Sequence, residues 1–187
     1  MKKLLFMLCA ALCVFTASAQ NRVVKPVEVE IGAGMTFGSA KLTQMRAKNK
    51  IGTTAFAEVR YNFAQIPIDL GVRLAGTMFN REELDENTKI KFKSGNIMAV
   101  ADVNIFRKSN FSLFAGIGAG YALLDKGYNE EGIYNKSDSK STFCYMPRAG
   151  VELWHHVRVT VSYIGGDKAN RHLNLGLGIA FGGGRAK

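Results

Sequence analysis

The groups with chemical reach in this 187-residue chain are three histidines, Cys144, and arginines and carboxylates that recur at two-residue spacing. Acyl transfer needs a histidine within hydrogen-bond reach of a serine or cysteine, with an acid to orient it. His155 and His156 stand side by side without a serine, and His172 has Asn174 and Ser162 as its polar company. Adjacent histidines rarely converge on one ion, and Cys144 has no second ligand at zinc spacing. Asp125, Asn129 and Glu131 fall at calcium-loop intervals, but Glu130 fills the position where such a loop turns on glycine. These groups assign no catalytic residue, no metal ligand and no cofactor. What remains is a set of opposite charges: Glu28, Glu30, Glu58, Asp69, Asp102 and Glu152 with Arg60, Arg73, Arg148 and Arg158. Gathered away from water, such residues can satisfy one another; buried singly, each is costly.

Eight segments carry these residues, and each alternates apolar and polar side chains with the period of a half-buried strand. Residues 27–37 set Val27, Val29, Ile31, Ala33 and Met35 against Glu28 and Glu30. Residues 51–63 set Ala55, Ala57, Val59 and Tyr61 against Phe56, Glu58 and Arg60, and 68–78 set Leu70, Val72 and Leu74 against Asp69 and Arg73. The fourth segment, about 89–106, sets Ile97, Ala99, Ala101 and Val103 against Asn96, Asp102 and Asn104. The pattern repeats over 111–123, 141–154, 157–163 and 172–181. All ten charged residues named above lie opposite the apolar side.

Connections alternate as well. Segments 39–50, 80–95 (partly strand), 125–140 and 165–171 are long, and 64–67, 107–110 and 155–156 are short. Eight antiparallel strands with short turns at one end and longer loops at the other make an all-β, up-and-down transmembrane barrel. Pro147 takes an apolar-side position in the sixth segment, which predicts a bulge or strand end there.

Alternation alone does not say which side faces out, because a soluble barrel has the same period. Three features favour the apolar side outward. The polar side is rich in glycine, as at 116, 118, 120, 176 and 178, and a narrow interior needs small residues beside long Arg and Glu chains. The polar side offers charges that can pair. Tyr61, Phe63, Phe111, Tyr121, Tyr145, Tyr163 and Phe181 sit on the apolar side towards segment ends, where interfacial girdles form.

Residues 1–19 read as a secretory signal: Lys2 and Lys3, an apolar stretch, then Ala17, Ser18 and Ala19 as the cleavage site. Cleavage after Ala19 leaves a barrel domain over 20–187, takes the formal charge from +10 to +8, and leaves Cys144 without a disulfide partner. Composition agrees: 47% hydrophobic residues are too many for disorder, and the longest uncharged stretch after the signal, 109–124, is too short for a spanning helix.

The chain resembles the small eight-stranded OmpX/OmpA-type outer-membrane barrels, often labelled porin family. The resemblance is carried by Phe114, Gly116, Gly118, Gly120 and Tyr121, by Pro147, Arg148, Gly150 and Glu152, and by Val157, Val159, Val161 and Tyr163. The closing Leu173, Leu175, Leu177, Ile179 and Phe181 resemble the signal read by the barrel insertion machinery, although Gly182 to Lys187 follow where such barrels often end. The resemblance implies an integral protein of the bacterial outer membrane without catalysis, serving envelope integrity or surface interaction. A lipid-modifying enzyme or a narrow solute channel is the alternative. Expected partners are outer-membrane lipid, lipopolysaccharide and a surface protein, not nucleic acid. Lys41, Arg46, Lys48 and Lys50 fall in the first long loop, and Lys89, Lys91 and Lys93 keep outward parity above the apolar band, where they would meet lipopolysaccharide phosphates. The third and fourth segments are expected to extend beyond the membrane as a ledge for strand addition.

Overall fold

The alternating segments become β-strands in the computed structural model, which describes residues 25–38, 47–49, 51–64, 66–83, 89–107, 111–130, 133–167 and 170–182. The strands are β1 (Val27–Gly38), β2 (Ala47–Asn49), β3 (Gly52–Asn62), β4 (Ile68–Glu83), β5 (Lys89–Arg107), β6 (Phe111–Glu130), β7 (Ile133–Leu153), β8 (Val157–Gly166) and β9 (His172–Gly182). Apart from β2, each strand pairs antiparallel with its neighbours in the chain. β1 then closes on β9, from Glu28 opposite Gly182 to Gly38 opposite His172. Eight strands thus form a closed cylinder, the condition hydrocarbon imposes on a sheet because lipid offers no partner to a free edge. β2 continues the line of β3 along the same edge of β4, with Lys48 opposite Glu82. The expected signal at 1–19, Lys41, Arg46, Lys50 and Glu131 lie outside the described residues.

Parity decides what each residue faces. Along β3 every second residue from Gly52 to Asn62 is buried and the others are exposed. Asp102 is fully buried, whereas Leu123 is 65% exposed and Ile31 59%. Burying one such aliphatic side chain is worth about 1.5–3 kcal/mol, so a cylinder clad in them suits hydrocarbon and not water. The outward apolar run extends from Gly95 to Ile105 on β5 and from Leu113 to Leu123 on β6. Those lengths cross the hydrocarbon core when tilted. Tyr61, Tyr121, Tyr145 and Phe181 are exposed on this outer surface, as is Trp154 in the turn after β7.

The structure corrects several expectations. Most of 125–140 is strand, with only 131–132 between β6 and β7, so the extension expected of the third and fourth segments, where β4 and β5 leave 84–88 between them, is shared by the fifth and sixth. These extensions lie beyond the apolar band, so neither side has to be hydrophobic and the period-two signal fades. The turn after β7 takes in Trp154, where a shorter turn was expected; Trp154 and His155 both have positive φ, 52° and 60°, as a tight hairpin matched to strand twist requires. Pro147 neither bulges nor ends β7. It pairs with Ile117 of β6, while the ladder to β8 skips from Tyr145 opposite Gly165 to Arg148 opposite Ser162, because proline has no N–H to give. The register shifts fall instead at Asn104/Phe106 and Lys126/Gly127.

Candidate functional site

The charged lumen is built first by strand register. Glu28 lies opposite Arg60, Glu58 opposite Arg73, and Glu152 opposite Arg158. Register also sets like charges face to face, Glu30 with Glu58 and Asp69 with Asp102, which destabilises a sheet unless cations intervene.

Arginines supply those cations. Arg60 donates from Nη1 to Glu30 Oε2 at 2.5 Å and Glu58 Oε1 at 2.7 Å, and from Nη2 to Glu28. Arg148 reaches across the lumen from β7. Its Nη1 and Nη2 donate to the two oxygens of Glu58 at 2.6 and 2.7 Å, and its Nε and Nη2 donate to Asp102 at 2.8 and 2.7 Å. Arg73 Nη1 donates to Glu58 Oε2 at 3.2 Å. Arg158 Nη2 donates to Asp102 Oδ2 at 3.1 Å, and its guanidinium stands 3.6 Å from Glu30, 3.7 Å from Glu28 and 3.8 Å from Glu152. Asp69 accepts from Asn104 Nδ2 at 2.7 Å. Nine of the ten residues therefore meet in one cluster of four guanidiniums and five carboxylates.

Packing closes the space around the cluster. The Arg73 guanidinium lies 3.7 Å above the Phe56 ring and that of Arg158 3.7 Å above Phe114, so each plane is covered by an aromatic face. A Cβ at Gly116 would strike the Asp102 carboxylate, and one at Gly178 would strike that of Glu30. Glycine at these positions is what lets the long charged chains fit an eight-stranded lumen.

Sequence reasoning missed the apolar part of the interior. Met98, Val100, Ala122, Leu124, Cys144, Met146 and Ile164 form a buried cluster inside the barrel. The signal was available: Met98 and Val100 share parity with Asn96 and Asp102, and Cys144 and Met146 share parity with Arg148. A side read as polar is polar at its short-turn end and partly apolar towards the loops.

The sheet has one further irregularity. β8 stops at Gly166 opposite Cys144, so among the described residues no strand continues the ladder along the β8-facing edge of β7 from Ile133 to Phe143, where Lys140 Nζ donates to Asp167 at 2.9 Å. Its other edge is held by β6.

Residues 7–181 match the family model described as outer membrane protein beta-barrel domain. The chain belongs to that family. It is a small barrel of the OmpX-like kind and resides in the bacterial outer membrane. No curated protein sequence matches it. Among solved structures, this outer-membrane barrel is similar in fold to Neisserial surface protein A, with 13% identity, a TM-score of 0.50, and coverage of 85% of this chain and 98% of that one. It is also similar to Ail, the attachment invasion locus protein of Yersinia pestis, with 19% identity, a TM-score of 0.47, and coverage of 84% and 99%.

In this outer-membrane barrel the histidines lie apart from the lipid-facing surface or at its short-turn rim. His172 is fully buried in the lumen, with Nδ1 2.6 Å from the Asn170 carbonyl oxygen, and Ser162 pairs across the ladder with Asn174. His155 Nδ1 is 3.7 Å from Glu152, and His156 Nδ1 is 3.1 Å from the Ala180 carbonyl oxygen. At the opposite rim Lys93 is exposed on the outer surface, and β5 carries Lys89 and Lys91 farther out, opposite Asn129 and Gly127 of β6.

Proposed function

We propose that this outer-membrane barrel performs no catalysis and serves as a surface-interaction scaffold that also supports the envelope. The observation that carries the reading is the long edge of β7 along which no described strand continues the β8 ladder, raised above the apolar band by the extended β4 to β7. An unpaired edge offers a row of backbone donors and acceptors to an incoming strand. β2 covers part of the edge of β4, which favours β7 over the third and fourth segments as the docking strand. The filled lumen supports a scaffold over a solute channel, since ion pairs, aromatic rings and close-packed glycines occupy the short-turn half.

Cells displaying the barrel should attach to a host-cell or matrix surface more than cells without it. A variant trimmed of 126–138 should lose that gain while keeping heat-modifiable mobility in the outer-membrane fraction. Attachment unchanged by the trimming would count against the reading.

We further propose that Lys89, Lys91 and Lys93 contact lipopolysaccharide phosphates and that the export signal is removed after Ala19. Replacing the three lysines by Gln should weaken lipopolysaccharide association at low salt most of all. N-terminal sequencing of the membrane form should begin at Gln20.

A further inference from the structure

The glycines of this barrel are of two kinds. Most face a side chain or backbone that a Cβ would touch. Gly76 and Gly95 would place a Cβ with nothing within 4 Å. They lie directly opposite each other on β4 and β5, on the outer surface, and Ala55 of β3 continues the row. Glycine inside a strand costs about 0.5–1 kcal/mol and often marks a place where something approaches the backbone closely. No described residue makes that approach.

The row forms the floor of an apolar groove of about 750 Å³. Leu74, Ile97 and Tyr121 wall it towards the short turns, and Leu123 closes it on the β6 side. The groove sits at the outer margin of the apolar band, because the next outward residue on β5 is the exposed Lys93. Hydrocarbon walls select hydrocarbon. A cation at the outer rim selects an anionic headgroup attached to that hydrocarbon. A protein neighbour would have to bury the Lys93 charge and the Asp125 opposite it, at a desolvation cost that a lipid headgroup in water avoids.

We propose that this groove is a fixed seat for one acyl chain of outer-leaflet lipopolysaccharide, with the lipid's phosphate drawn to Lys93. The proposal rests on the outer-membrane placement and goes beyond it, since it separates one retained chain from the lipid that wets the whole barrel.

The test is native mass spectrometry of the full-length barrel taken from outer membranes in mild detergent and titrated with purified lipid A. The unaltered barrel should retain one lipid A. Gly76→Val with Gly95→Val fills the groove and should cut retention at least fivefold with heat-modifiable mobility intact, and Lys93→Gln should cut it less. Equal retention by the folded double variant would overturn the seat. So would an unaltered barrel that dimerises through this surface, with the dimer lost and lipid retention kept in the double variant. If the double variant does not fold, Ala55→Leu narrows the same groove from β3 and is read in the same way. Absence of the chain from outer-membrane fractions would instead refute the placement, and that result is scored separately.

Discussion

The short-turn half of the lumen buries four guanidiniums against six carboxylates, whereas the half nearer the loops buries methionines, aliphatics and neutral polar groups. In the first half most charged side chains have an oppositely charged partner at about 3 Å, although Arg60 Nε and Arg158 Nε have no hydrogen-bond partner among the described residues. In the second, Thr36 Oγ1, Ser94 Oγ and Asn96 Oδ1 have no hydrogen-bond partner among the described residues. The contrast teaches that one narrow interior is stabilised in two ways. Charges there are obligatory as a set, because each arginine is shared among several acids and removing one acid strands the others. Packing governs the other half, where an unmade hydrogen bond is tolerated one residue at a time.

Four substitutions separate these regimes, each read by chemical unfolding of the refolded barrel in micelles. The largest effect is expected for Glu58→Ala, which leaves Arg60, Arg73 and Arg148 short of the acid they share. It should cost about 3–5 kcal/mol, and a loss under about 1 kcal/mol would show that the cluster rearranges or is hydrated. Met146→Ala, in the apolar half, should cost about 2–4 kcal/mol through the cavity it opens. Glu152→Ala should cost about 1 kcal/mol, because it stands 3.8 Å from Arg158 at the margin of the cluster and is not shared among several arginines there as Glu58 is. An effect as large as that of Glu58→Ala would erase the distinction between centre and margin. Thr36→Val should be neutral or stabilising by up to about 1 kcal/mol, since it replaces a buried hydroxyl without a partner by a methyl group. Clear destabilisation by Thr36→Val would move the loop-side half into the obligatory class.

Much of this was readable in the chain. The parity that sends Glu58, Arg148 and Asp102 inward and Leu74, Ile97 and Leu177 outward follows from a local repeat, as does the closed cylinder that lipid demands. The tips of β4 to β7 were less readable, because strands with solvent on both sides carry no hydrophobic alternation. Met98 and Met146 were overlooked for a different reason: their parity was plain, but a side dominated by Arg, Glu and Gly was read as uniformly polar.

By itself the sequence determined the strand period, the inward set and the side that meets hydrocarbon, since each depends on residues two apart along one strand. Only the tertiary structure decided which arginine holds which acid. Arg148 and Glu58 are separated by 90 residues and sit on strands that never pair. They meet because closure fixes the stagger of all eight strands at once, and no local pattern encodes that stagger.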